Sequence, residues 1–134
     1  MLINTLICAL TFGILDAIWF AVFMKSFAIR AIGSHLSMKD GALDVNMFNT
    51  LTAYVLMVAV AVLFLGNRVA ESGCYLESIG WGFAMGICVF GVFDFTNGAM
   101  MKNYPIEFVL IDTLWGGFIY AVAAVVMKRF AQIA

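Results

Sequence analysis

"IGWGFAMGICVFGVFDFTNGAM", residues 79–100, carries a single charged side chain, Asp94. Read without that residue, it is a membrane span, since about 20 mostly apolar residues cross the hydrocarbon core. Read with it, the stretch raises a question, because an aspartate near mid-span costs about 2.5–3.5 kcal/mol to insert. The first reading leads to the fold and the second to a candidate site.

Three other stretches, about 2–24, 47–66 and 106–127, have the same apolar character. No water inside the bilayer can satisfy backbone groups, so each must be a helix. Composition agrees: 65% of the residues are hydrophobic and 11% charged, against roughly half and a quarter in soluble domains. So few charges cannot cover a surface facing water. The expectation is an all-α integral membrane protein, one domain over residues 1–134, built as a four-helix bundle with spans 2–24, 47–66, 79–99 and 106–127. The net charge of −1 offers no basic surface; no nucleic-acid partner is expected, and membrane lipid is the natural surrounding.

The first span lacks the Lys or Arg of a signal-peptide n-region and ends in bulky aromatics, so it reads as retained. Cys8, Cys74 and Cys88 form no C-x-x-C pair and suggest neither disulfide nor zinc. The first connection, "KSFAIRAIGSHLSMKDGALDVN" (25–46), mixes Phe27, Ile29, Ile32 and Leu36 with Lys25, Arg30, His35 and Lys39, a pattern suited to a short interfacial helix. Its "KDG" signals a turn, and Asp44 or Asn46 can cap the second span. Pro105 suits the first turn of the fourth helix, where its missing N–H loses nothing. Lys25, Arg30, Lys39 and Lys102 lie on one side, Arg68, Lys128 and Arg129 on the other. That balance tips only slightly towards cytoplasmic first and third connections and leaves room for dual insertion.

Depth makes Asp94 one of a set. Asp16 lies nine residues before Lys25, Asp94 eight before Lys102, and Asp112 seven after Pro105. At about 1.5 Å per residue, each sits roughly 10–14 Å inside the same membrane edge. Asn49, Thr50, Thr52 and Tyr54 of the second span crowd towards that edge, whereas "VLMVAVAVLFL" and "AVAAVVM" in the opposite half hold nothing ionisable. Gly13, Gly91 and Gly116 share helical stripes with the three acids. Small residues let membrane helices approach closely, so these stripes are expected to face inward and bring the carboxylates together.

Two readings of the acids stand side by side. They can staple helices through hydrogen bonds to Asn97, Thr96, Thr113, Tyr54 or a tryptophan N–H. Alternatively they line a pocket for a proton, a hard cation or an amine-bearing small molecule. In that pocket Asp94 and Asp112 form the central pair, Asp16 is the third acid and Asn97 an orienting donor; Trp19, Thr96, Trp115, Gly116 and Asn49 line it. Three acids exceed what helix stapling needs, and like charges repel, which favours the pocket. Trp19 and Trp115 can pack, anchor at the interface or stack on a cation. Trp81 reads as an anchor at the opposite surface. Gly82 and Gly86 form G-x-x-x-G, either a packing face or a homodimer contact.

One histidine gives a soft-metal site little support, and no nucleotide loop, nucleophile–histidine pair or haem ligand is visible, so no cofactor or metal is expected. Two further functions stay open. A membrane enzyme using Asp acid–base chemistry on lipid predicts a lateral opening at the level of the acids. An accessory subunit of a larger complex predicts instability on its own. A transporter predicts a polar route past the acids, which the apolar half does not supply. Four short helices enclose little volume, so a homodimer or larger assembly is expected.

D-x-x-W at 16–19, "FDFTNGAMMKNYP" at 93–105 and "IDTLWGG" at 111–117 resemble a bacterial family of small predicted membrane proteins, the domain of unknown function 2177 family. The resemblance spans essentially the whole chain. It implies four spans, the bacterial inner membrane and no assigned activity. Asp16, Trp19, Asp94, Thr96, Asn97, Asp112, Trp115 and Gly116 match its characteristic positions, and Phe93 stands where tyrosine is expected.

Overall fold

The structure, a computed structural model, describes residues 2–131. Helix α1 (Leu2–Trp19) passes through a π turn (Phe20–Met24) into α2 (Lys25–Ile32) and a 3-10 turn, forming one helical run to His35. No glycine or proline stands between Gly13 and Gly33 to break it. The helix of the first connection is therefore α2, continuous with the first span. Lys25 and Arg30 mark where the run meets charge, not where it stops.

After it, β1 (Met38–Lys39) and β2 (Ala42–Leu43) pair antiparallel. The turn between them is Asp40-Gly41, with φ of 51° and 77°. Positive φ at both residues is the mirror-image turn that matches strand twist, and Asp-Gly accepts it readily. Asn46, not Asp44, caps α3 (Met47–Val60), its side-chain oxygen accepting the Asn49 N–H at 3.0 Å. A second π turn (Ala61–Leu65) leads into α4 (Gly66–Glu71), and α5 (Tyr75–Met100) and α6 (Ile106–Ala131) follow. Among the described residues, four helical runs are long and apolar enough to cross a membrane.

The closest pairing is the antiparallel hairpin of α5 and α6. Gly86 meets the Gly116 carbonyl so closely that a Cβ would overlap it, and a Cβ on Gly116 would enter the Phe90 ring. Gly82 packs in the same way on Tyr120 and Ala124. The G-x-x-x-G is thus a packing face within the chain. Such fit matters because lipid is as apolar as leucine, so close van der Waals packing holds membrane helices together.

Two apolar clusters result. The larger gathers Cys8, Phe12, Val58, Leu65, Ile119, Tyr120 and Met127 in the half away from the first connection. The smaller joins Met24, Ala28, Ile32 and Phe108 near that connection. The far end is tied by Lys128, which is buried and donates to the Ser72 carbonyl at 2.7 Å and to Ser72 Oγ at 2.8 Å. Ser72 Oγ also lies 2.6 Å from Ser78 Oγ. Outside this knot, the Arg68 guanidinium sits 4.8 Å over the Trp81 ring.

Candidate functional site

The acids occupy the gap between the two clusters. Asp16, on α1, accepts the Tyr54 hydroxyl from α3 at 2.9 Å and the Trp115 Nε1–H from α6 at 2.8 Å. One carboxylate thereby links three helices, as a staple does. Asp94, on α5, has no exposed surface. Its Oδ2 accepts the Thr113 hydroxyl at 3.1 Å, while its enclosed Oδ1 receives no N–H or O–H. A buried acceptor without a donor is costly, by about 1–3 kcal/mol.

Asp112, on α6, is the nearest acid to it. Its carboxyl lies within hydrogen-bonding reach of Asp94 and close enough to feel the charge of Asp16. Two ionised carboxylates only accept, so a direct Asp94–Asp112 hydrogen bond requires one proton between them. Among the described residues no N–H and no hydroxyl donates to Asp112, which is half-buried and faces open space.

That space is a cavity of about 580 Å³. Asp16, Asp112, Asn97, Asn49, Tyr54, Trp19 and Trp115 all border it. At the first-connection end it is walled by His35, Leu36, Ser37 and Asp44, and along its length by Phe20, Met24, Phe90 and Phe108. Every carboxylate on the wall is an aspartate, and neither lysine nor arginine is among its bordering residues. Its deep side is closed by the larger cluster, where the rings of Phe12 and Tyr120 are 4.8 Å apart and the Tyr120 hydroxyl donates to the Met57 carbonyl at 3.0 Å.

Trp19 and Trp115 stack on each other, centroids 4.3 Å apart and planes 6° from parallel. They pack as a pair while still bordering the cavity, and the buried Trp19 Nε1–H has no acceptor. The π turn begins immediately after Trp19; such turns recur at functional sites. Two residues of the expected lining sit elsewhere. Thr96 is exposed on the far side of α5, two residues from Asp94 and so about 200° around the helix. Gly116 lies in the α5–α6 contact against Phe90 and serves packing.

Sequence reasoning left Tyr104 out, gave Asp44 only as a helix cap, and counted Tyr54 among the polar residues near the acids and their hydrogen-bonding options without placing it in the lining. Tyr104 stands in the turn after α5, borders the cavity, engages the Asn97 side chain and lies 5.9 Å from the His35 ring. Burial, with the Asp94 and Asp112 carboxylates nearby, raises its phenol above the ordinary value. Tyr54 carried a signal: it lies one turn beyond Thr50 on the polar stripe of the second span. Asp44 carried none, since it reaches the cavity by way of a hairpin that loop composition does not place.

No curated protein and no solved structure matches the chain. A match does exist among protein families, covering residues 1–128, and by it the chain belongs to the predicted membrane protein family DUF2177.

Proposed function

We propose that the chain binds an amine-bearing small molecule in the cavity between the two apolar clusters, with Asp112 as the group that meets the cation. One observation carries this reading. Among the described residues Asp112 is met only by the Asp94 carboxyl, and it borders a cavity whose wall holds carboxylates and neither lysine nor arginine. With the shared proton on Asp94, Asp112 offers its oxygens to an ammonium group. Asn97 is placed to orient the ligand, and the paired indoles and phenyl rings provide the apolar contact that small-molecule sites normally have.

A hard cation is less favoured, because such ions take six or more oxygens. Two donors already occupy Asp16, and among the described residues no three His, Cys, Asp or Glu side chains are grouped as a metal site. Movement right through the bundle is disfavoured by the apolar floor of Phe12 and Tyr120. The family resemblance supports a setting in the bacterial inner membrane, where a second copy or larger partner can add to the bundle.

Calorimetry on the purified protein in nanodiscs tests the reading, with 2-phenylethylamine as probe and 3-phenylpropionate as its anionic counterpart. The amine is expected to bind saturably and the acid not at all, and Asp112→Asn is expected to weaken the amine at least tenfold. Equal binding of the two probes, or an unaffected Asp112→Asn, would overturn it. A lipid-directed enzyme is the second reading, favoured by a groove that opens sideways from Tyr54; release of product from amine-headgroup lipid by the pure protein distinguishes it.

A further inference from the structure

A second hollow, of about 460 Å³, runs between α1 and α3. Ala9, Val58, Ala59 and Val62 line it, and it faces outward beside Val55 and Leu63, both largely exposed. Both runs are long and apolar enough to cross a membrane, so lipid hydrocarbon is the expected surrounding of the hollow. One residue belongs to both hollows: Tyr54, whose hydroxyl is held by Asp16. The acid cavity and the apolar groove therefore meet at a single aromatic partition. From Tyr54 to Val62 is eight residues, about 12 Å of helix running away from the acids.

We infer that the two hollows hold one molecule, a single-chain aliphatic amine, its ammonium group in the acid cavity and its hydrocarbon tail in the α1–α3 groove past Tyr54. This deepens the binding reading proposed above and rests on it. Charge and apolarity are arranged in the order such an amphiphile requires: carboxylates at one end, alkyl surface at the other. The carboxylates offset the burial of an ammonium group 10–14 Å inside the membrane edge, a depth obtained from the helical rise. The open side of the groove lets the tail arrive from the surrounding lipid, so the ligand need not cross water.

The experiment uses full-length protein in nanodiscs and dodecylamine bearing a diazirine at mid-chain, with cross-links mapped by mass spectrometry. Label is expected on Ala9, Val58 and Val62 and is expected to be displaced by excess dodecylamine. In parallel, Ala9→Phe fills the groove from a partly lipid-facing position; it should weaken dodecylamine at least tenfold and leave 2-phenylethylamine within twofold. Label spread evenly over exposed residues that border neither hollow, such as Val92 and Phe95, or an Ala9→Phe that treats both amines alike, would overturn the inference while the cavity reading survived. Loss of 2-phenylethylamine binding in wild type would instead remove the cavity reading itself.

Discussion

At the residue scale, three aspartates at one depth have three different situations. Asp16 is saturated by Tyr54 and Trp115, Asp94 is enclosed with one hydroxyl donor, and Asp112 is open. Their variants should diverge accordingly. Asp16→Ala strands a phenol and an indole N–H and is expected to lose about 1–2 kcal/mol of stability, seen as a lower melting temperature in detergent. Asp112→Asn is expected to melt like wild type and lose amine affinity, at least tenfold or about 1.4 kcal/mol. Tyr104 adds a pH effect. Its phenol is raised in the folded protein, so its contribution is fully present below the unfolded value near 10 and lost as pH rises through the folded value. Melting temperature should fall on the alkaline side, less so in Tyr104→Phe. Counting residues from Lys25, Lys102 and Pro105 made it legible that the acids come near one another. Which acid was already satisfied was not, because that depends on Tyr54 and Trp115 arriving from other helices.

At the level of elements, α5 and α6 form the part most tightly specified by sequence. Gly82, Gly86, Gly116 and Gly117 leave no room for a Cβ along their contact. Gly86→Leu is expected to separate the pair and abolish a cooperative melt, and Gly116→Ala to lower the melting temperature by displacing Phe90. Circular dichroism melts in detergent check both, and helix content at low temperature should persist, since each span remains apolar enough to stay helical in lipid. The small residues were visible in the sequence, yet their partner was not: a glycine stripe looks the same whether it meets a neighbour in the chain or another copy. The continuous run from Leu2 to His35 was hidden for a related reason. Hydropathy changes at Lys25, but charge marks the membrane edge and does not unwind a helix. The π turns at Phe20–Met24 and Ala61–Leu65 leave no compositional trace, because alanine, valine, leucine and phenylalanine serve an α turn equally well.

Across the whole molecule, the two ends are built differently. Lys128, Ser72 and Ser78 lock one end with short hydrogen bonds, while the other is hollow around the acids and roofed by a two-residue hairpin. Amide exchange should follow this gradient. Residues 119–127, buried for the most part in the far half of α6, are expected to exchange slowly and residues 35–46 quickly, and 2-phenylethylamine should slow the second set alone. The knot stands remote from every residue that borders the cavity, so Lys128→Met serves as a probe of the far end alone: it should lower the melting temperature by freeing α6 from Ser72 while leaving the lining of the hollow intact.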